Sequence, residues 1–142
     1  MLGLIPKLRD LVGESDPANF VIFGSAAIAL NGVDLKREIN DLDVFVSEQT
    51  FKNLETRFEL KHKSGKDDEP PVPFYAPAEK IEILKSFPGV LFEDVRLKAK
   101  PLAACGEFPV GQLADLKLWK TEQARPKDMD DLKAIAAYEA NL

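Results

Sequence analysis

The chain contains Phe20-Val-Ile-Phe-Gly-Ser-Ala-Ala-Ile-Ala-Leu-Asn-Gly32 and, after a short basic connection, Asn40-Asp-Leu-Asp-Val-Phe-Val46. This pattern predicts a buried strand, a tight turn, a helix, a loop and a second strand. Because side chains alternate across a strand, Asp41 and Asp43 project from one face, about 7 Å apart. Two carboxylates on an apolar strand are costly unless a cation binds them, and Mg²⁺ prefers carboxylate and phosphate oxygens. The stretch therefore predicts a cation site.

The turn before this strand predicts a phosphate site. Phe20 to Phe23 has strand propensity, Gly24 permits a tight bend, and Ser25 is a favourable N-cap for a helix that ends near Gly32. The N-terminus of a helix binds anions through its free backbone N–H groups. We therefore expect a phosphate cradle and the two carboxylates to lie side by side on adjacent strands.

The order of these motifs resembles that of a known superfamily. The Gly-Ser pair at 24–25, Arg37 and the Asp-x-Asp at 41–43 resemble the nucleotidyltransferase fold of the polymerase β superfamily. With the phenylalanine that precedes it, the Gly-Ser pair is similar to that of the minimal nucleotidyltransferases. Two C-terminal stretches resemble nucleotidyltransferases related to the AbiEii toxins of abortive-infection systems: Leu113-Ala-Asp-Leu-Lys-Leu-Trp-Lys120 and Arg125-Pro-Lys-Asp-Met-Asp-Asp-Leu132.

The resemblance implies a third acidic residue on a later strand. In Lys80-Ile-Glu-Ile-Leu84, Glu82 faces away from its apolar neighbours, as a carboxylate on a half-buried strand does. The resemblance implies that Asp41, Asp43 and Glu82 hold two Mg²⁺ ions, with Mn²⁺ as a substitute, and that Glu82 accepts the proton of an attacking hydroxyl. The implied reaction is Mg²⁺-dependent transfer of a nucleotidyl group from a nucleoside triphosphate to a hydroxyl of tRNA, a protein or a small molecule.

The C-terminal third supplies two lysines as candidates for binding the triphosphate. On a helical wheel that starts at Leu113, Lys117 falls between apolar residues and is expected to point inward, whereas Asp115 and Glu122 mark the polar face. The AbiEii-like families resemble this chain in having a lysine there. Lys120, one turn further along, is the second candidate.

The last helix carries two aspartates for which we expect a structural role. Asp128 and Asp131 stand on its apolar side, close to its start. Their position suits the helix dipole, and we expect them to pair with Arg125 or Lys127.

One feature keeps a second function open, and another disfavours a third. The AbiEii toxins have a lysine in the helix after Gly-Ser, whereas residues 26–30 here are wholly apolar. A noncatalytic nucleotidyltransferase-like module that binds a nucleotide or a protein is therefore the alternative, and Arg37 either binds phosphate or bridges to Asp41. A nuclease is disfavoured, because the common Asp…Glu-x-Lys arrangement would place its lysine where Leu84 stands.

Length and composition predict one domain over residues 1–142. The order of its elements and the resemblance imply an α/β two-layer fold, with a mixed, mainly antiparallel sheet, helices packed behind it and an acidic cleft in front. Four prolines between residues 64 and 78 predict a loop with at most a short edge strand. Helices are expected near 3–13, 25–31, 48–56, 111–123 and 127–140. Strands are expected near 20–23, 41–46, 58–63, 80–84, 92–98 and 107–110.

Charge and cysteine content limit location and partners. The net charge of −5 disfavours broad nonspecific nucleic-acid binding, but it leaves room for a local basic cleft. A single cysteine, Cys105, excludes an internal disulfide, and His62 is expected to be exposed. With no membrane span or secretory signal recognisable, we expect a cytoplasmic protein without a membrane partner. The resemblance also allows a cognate antitoxin. The cations expected to gather at one mouth are Lys36, Arg37, Lys117, Lys120, Arg125 and Lys127.

Overall fold

The computed structural model describes residues 1–64 and 70–142. Within those ranges the chain forms six α-helices and seven β-strands. The helices are α1 Ile5–Val12, α2 Gly24–Leu30, α3 Glu48–Asn53, α4 Phe92–Lys98, α5 Leu113–Gln123 and α6 Pro126–Ala140. The strands are β1 Val21–Phe23, β2 Leu42–Phe45, β3 Leu60–Lys63, β4 Val72–Ala78, β5 Ile81–Leu84, β6 Lys100–Pro101 and β7 Pro109–Val110.

The strands form one sheet in the order β3-β4-β5-β2-β1-β7-β6. The pairs β2–β5 and β1–β7 are parallel, and the other four pairs of neighbours are antiparallel. The predicted mixed, mainly antiparallel sheet in an α/β fold is therefore confirmed. None of the described helices combines the length and the apolar character that crossing a bilayer requires.

The two faces of the sheet differ in chemistry. Val44 and Ile83 are buried on one face, where Phe51 of α3 lies against Tyr75 of β4 with 4.4 Å between the ring centroids. The other face carries the carboxylates of β2 and β5 and continues into a cluster of aromatic rings. That aromatic cluster consists of Phe23, Phe45, Phe87 and Trp119. The acidic residues therefore lie next to this aromatic cluster.

The prediction of a loop between residues 64 and 78 is wrong over its second half. Residues 72–78 form β4, a strand of seven residues that lies between β3 and β5 rather than at an edge. Pro73 pairs with His62 of β3, and Pro77 stands where the register to β5 shifts. The irregularity accommodates a residue without an N–H group, which is why an interior strand tolerates it here. Residues 65–69 of the predicted loop lie outside the described residues.

The prediction of a strand near 92–98 is also wrong, because these residues form α4. Glu93 and Asp94 occupy its first turn, and Arg96 and Lys98 its last, so the charges match the helix dipole. Val95 is its one buried residue. Acidic residues in the first turn and basic residues in the last are typical of a helix. In residues 92–98 this charge order indicates the structure better than the alternation of apolar and polar residues that predicted a strand.

Candidate active site

Three carboxylates lie in a row across two neighbouring parallel strands. Asp43 of β2 is the register partner of Glu82 of β5, and Asp41 stands two residues before Asp43 on the same face. Burial, and then the negative charges of Asp41 and Glu82, raise the pKa of Asp43 from 3.8 to about 6. The row is therefore a place where negative charge is concentrated and only partly neutralised.

The three carboxylates suit a hard divalent cation, although they are not gathered around one common position. Carboxylate oxygens are what Mg²⁺ prefers, and a cation would relieve the repulsion that raises the pKa of Asp43. Within residues 1–64 and 70–142, however, no three Asp, Glu, His or Cys side chains are gathered closely enough to hold an ion. Glu82 is turned toward β3, where its Oε1 lies 2.5 Å from Nζ of Lys63. An ion that used all three carboxylates would have to draw Glu82 away from that lysine.

Gly24 brings the turn between β1 and α2 into contact with the carboxylate row. Its φ of +67° lies in the left-handed region, and a Cβ on this residue would stand 2.6 Å from Oδ2 of Asp43. The predicted N-cap role of Ser25 is wrong, because α2 starts at Gly24 with Phe23 at its N-cap. The hydroxyl of Ser25 instead accepts a hydrogen bond of 3.2 Å from Nη2 of Arg37.

Arg37 is held in place by α6. Its Nη1 donates to Oδ1 of Asp131, and its Nη2 lies 3.1 Å from Oδ2 of the same residue. These hydrogen bonds raise the pKa of Arg37 above its ordinary value. Of the two roles left open for Arg37, a direct bridge to Asp41 is not what the structure forms. The guanidinium spans Ser25 and Asp131 and lines the cleft.

Asp131 also belongs to a buried ion network between α5 and α6. Nζ of Lys120 lies 2.8 Å from Oδ2 of Asp131 and 2.9 Å from Oδ1 of Asp128, and all three side chains are essentially inaccessible. Asp128 also accepts hydrogen bonds from the backbone N and from Nε of Arg125. Burial alone would raise the pKa of Asp128, but the hydrogen bonds from Arg125 and Lys120 outweigh it and lower the pKa to about 2.

The structural role predicted for the two aspartates fits this network, and the pairing of Asp128 with Arg125 is present. The partners of Asp131 differ from the prediction, because it pairs with Arg37 and Lys120. Lys120 was predicted to bind the triphosphate, but in this structure it is fully buried and does not line the cleft. Its ammonium group is already neutralised by two carboxylates.

The prediction that Lys117 points inward is wrong. The buried face of α5 consists of Asp115, Leu116, Trp119 and Lys120, and Lys117 instead forms a half-exposed pair with Glu139 at 2.8 Å. Apolar residues are spread around this helix, so periodicity does not identify the buried face. Asp115, expected on the polar face, is buried against Nζ of Lys98 at 2.7 Å. The buried side of α5 thus combines two apolar residues, Leu116 and Trp119, with two charged residues that are held in ion pairs.

A cleft of about 750 Å³ opens over the carboxylate row, within the range typical of small-molecule sites. Ser25, Asp41, Asp43 and Glu82 line it, and the rings of Phe87 and Trp119 border it. The cations that line the cleft are Arg37, Lys63, Arg125 and Lys127. Three of these were among the cations expected at one mouth, whereas Lys36, Lys117 and Lys120 do not line the cleft.

Among the cations that line the cleft, Lys63 is the one that sequence reasoning missed. It ends β3, whose four residues are all exposed, and its Nζ lies 4.9 Å from the centroid of Phe74 as well as against Glu82. Alternation along Leu60–Lys63 would have placed Lys61 and Lys63 on one face. The pairing of β3 with an unexpected β4 was needed to bring that face to the carboxylates.

A second, shallower groove of about 460 Å³ shares Asp41 and Glu82 with the main cleft. It lies over the hairpin that joins β4 and β5, and its rim carries Lys61, Glu79 and Lys80. Lys80 has a φ of +66°, a conformation that residues other than glycine seldom adopt, and its carbonyl accepts a 2.8 Å hydrogen bond from the backbone N of Leu42. The hairpin tip is thereby fixed beside Asp41.

Comparison with known proteins gives one match that covers nearly the whole chain. A family model described as "Nucleotidyltransferase of unknown function (DUF6036)" matches residues 1–140. No curated protein matches the chain.

Proposed function

Because the chain belongs to the DUF6036 family of nucleotidyltransferases, we propose that it transfers a nucleotidyl group from a nucleoside triphosphate to an acceptor hydroxyl with the help of Mg²⁺. The single observation that carries this proposal is the row of Asp41, Asp43 and Glu82 under the cleft, in which the pKa of Asp43 is raised to about 6. A carboxylate whose pKa is strongly raised and that lies in a cleft is typical of a functional site.

Each residue has a role in the proposed reaction. The acceptor oxygen attacks the α-phosphorus, a new P–O bond forms, and the bond to the bridging oxygen of the β-phosphate breaks, so that pyrophosphate leaves with the electron pair. Glu82 takes the proton of the acceptor hydroxyl. Asp41, Asp43 and Glu82 would hold Mg²⁺, which supplies charge neutralisation and alignment of the phosphates.

Donor phosphates are best accommodated where the turn after β1 meets α6. Arg37 is anchored on Asp131 and Ser25, and Lys127 lies close enough to lower the pKa of Asp43 through its charge. A guanidinium held in one orientation suits the planar, bidentate recognition of phosphate. We therefore propose that Arg37 and Lys127 bind the triphosphate, in place of the predicted Lys117 and Lys120.

A noncatalytic module that binds a nucleotide or a protein is the second candidate. The observation that favours it is the ion pair between Lys63 and Glu82, which already occupies the third carboxylate. If this pair persists when nucleotide binds, Glu82 can neither complete a metal site nor accept a proton. Binding without turnover would then be the result.

The first experiment measures the rise in melting temperature caused by each of the four nucleoside triphosphates, with and without Mg²⁺. We expect a Mg²⁺-dependent rise in the wild type that Asp41→Asn/Asp43→Asn abolishes. Asp130→Asn, which removes an exposed carboxylate outside the cleft, is the matched control and should behave as the wild type.

A transfer assay then separates the two candidates. Release of pyrophosphate from the preferred triphosphate, dependent on Asp43 and Glu82, would establish the enzyme. A metal-dependent rise in melting temperature without any turnover would establish the binding module. Absence of a rise with all four triphosphates would reject both.

The AbiEii-type affiliation, the toxin–antitoxin setting and a cognate antitoxin stay predictions. They concern a partner chain, and co-purification of the product of a neighbouring gene with this protein is the direct test. An antitoxin that binds at the cleft should suppress the rise in melting temperature that the triphosphate causes.

A further inference from the structure

The carboxylate row separates two groups of cations. Arg37 contacts Ser25, directly after β1, on one side of the row. Lys63 reaches Glu82 from β3, on the opposite side, because β3, β4, β5, β2 and β1 are successive in the sheet. The cleft therefore has a basic end at each side of its acidic centre.

The second groove opens on the β3 side of the row. It shares Asp41 and Glu82 with the main cleft but not Ser25, Arg37 or Lys127. A molecule in this groove would reach the carboxylates without occupying the end where we place the donor phosphates. The row thus has two approaches, one for each of two reactants.

In-line displacement decides which reactant uses which approach. The attacking oxygen and the leaving oxygen lie on opposite sides of the phosphorus that is transferred. If pyrophosphate leaves toward Arg37, the acceptor hydroxyl must arrive from the β3 side. Glu82 is the carboxylate nearest to β3, so the proposed proton acceptor stands on the side where the hydroxyl enters.

Two lysines line this groove, and a third, Lys63, belongs to the main cleft. Lys61 and Lys63 alternate onto one face of β3, and Lys80 stands at the tip of the hairpin between β4 and β5. Neither Lys61 nor Lys80 forms an ion pair with a described residue. The groove also carries three carboxylates: Glu79, and the Asp41 and Glu82 that we assign to the metal ion. Once that ion is bound, the charges of the two lysines are available to an anionic guest.

We propose that the groove of Lys61 and Lys80 binds the acceptor, and that the acceptor carries a phosphate group close to its reacting hydroxyl. This inference rests on the proposed function and names the substrate class of the same site. An RNA end and a small phosphorylated alcohol share this chemistry.

The test compares the wild type with Lys61→Ala/Lys80→Ala. Transfer of label from an α-labelled triphosphate is measured to a short single-stranded RNA, to ribose 5-phosphate and to glycerol, which offers hydroxyls without phosphate. We expect the KM for the phosphate-bearing acceptor to rise about tenfold in the variant, which corresponds to about 1.4 kcal/mol, while the KM for the triphosphate is unchanged. Lys7→Ala/Lys52→Ala removes the same charge from helices outside both cavities and is the control.

The outcomes separate this inference from the proposed function. Preference for RNA identifies a nucleic-acid end as the acceptor, and preference for ribose 5-phosphate identifies a small molecule. Transfer to glycerol at equal efficiency, an unchanged acceptor KM in the variant, or triphosphate binding without transfer to either phosphate-bearing acceptor overturns the inference. Failure to bind any triphosphate with Mg²⁺ overturns the proposed function instead.

Discussion

The carboxylate of Asp43 lies against the α-carbon of Gly24, so closely that a methyl group there would stand 2.6 Å from Oδ2 and 2.9 Å from Cβ. Side chains do not approach one another at these distances without displacement. The left-handed φ of +67° at Gly24 adds strain for any other residue. The turn and the carboxylate row therefore require a glycine at this position for two independent reasons.

Gly24→Ala should destabilise the protein and displace Asp43. Gly13→Ala is the matched control, because Gly13 has a φ of +57° and open space around its α-carbon. We expect the control to lose about 1 to 3 kcal/mol from backbone strain alone, because its ψ of −123° lies outside the left-handed helical region, and Gly24→Ala to lose about 2 kcal/mol more. Denaturant unfolding of both variants measures the difference in the free energy of unfolding. Equal losses would mean that the side chain of Asp43 can move aside without destabilising the protein.

Asp43→Asn should stabilise the protein without metal at pH 8. A folded-state pKa of about 6, above the ordinary 3.8, means that the folded protein binds the proton more tightly than the unfolded chain. The stability of the wild type therefore falls as the pH rises from about 4 to 6, by at most about 3 kcal/mol. We expect a gain of about 1 to 2 kcal/mol for the half-buried Asp43 at pH 8 and almost none at pH 4.

The same variant should reverse its rank when Mg²⁺ and a triphosphate are added. Ligands that bind only the folded protein stabilise it, and Asp43→Asn removes a proposed ligand of the ion. Melting temperatures at pH 8, with and without Mg²⁺ and triphosphate, give the comparison. A variant that gains as much from the ligands as the wild type would remove Asp43 from the proposed metal site.

Lys120→Met should be among the most destabilising substitutions in the chain. It leaves Asp128 and Asp131 buried without the ammonium group that lies 2.9 Å and 2.8 Å from them. Loss of one partner from a buried ion network costs about 3 to 5 kcal/mol. Lys120→Met combined with Asp128→Asn should recover part of the loss, whereas no recovery would mean that packing, rather than charge, causes it.

Lys117→Ala should cost less than about 1 kcal/mol, because the pair with Glu139 is half-exposed on both sides. It should also leave triphosphate binding unchanged, since Lys117 does not line the cleft. Lys127→Ala, by contrast, should weaken triphosphate binding about tenfold with little effect on stability, because Lys127 is exposed and lines the cleft. Titration of both variants with the preferred triphosphate checks the contrast, and equal affinities would contradict it.

Asp131→Asn should weaken triphosphate binding although Asp131 does not line the cleft. The variant loses the charge that orients Arg37, so the guanidinium no longer meets the phosphates in one orientation. Because stability also falls, the diagnostic measurement is the KM for the triphosphate at a temperature where the variant is fully folded. We expect a rise of about tenfold, comparable to that of Arg37→Lys. An unchanged KM would mean that Arg37 finds its place without Asp131.

Local rules predict the elements that carry the carboxylates, because period-two alternation with an acidic residue every second position is a short-range signal. Asp43 and Glu82 thus stand where alternation predicts, and the parallel pairing of β2 with β5 makes them neighbours. Where each lysine lies in the fold, by contrast, depends on parts of the chain that are distant in sequence. Lys120 becomes buried because Asp128 and Asp131 return to it from α6, and Lys63 enters the cleft because the proline-rich segment pairs as β4.

Asp131 holds Arg37 and Lys120 at the same time, so the packing of the last helix and the readiness of the cleft are one cooperative event. Any process that lifts α6, whether local unfolding or capture of the helix by another protein, frees the arginine and leaves a buried lysine without part of its counter-charge. Amide exchange along α6 should therefore slow when a triphosphate occupies the cleft, also at amides well beyond Lys127, the residue of this helix that lines the cleft. The stability of the last helix in this sense sets the affinity for the donor.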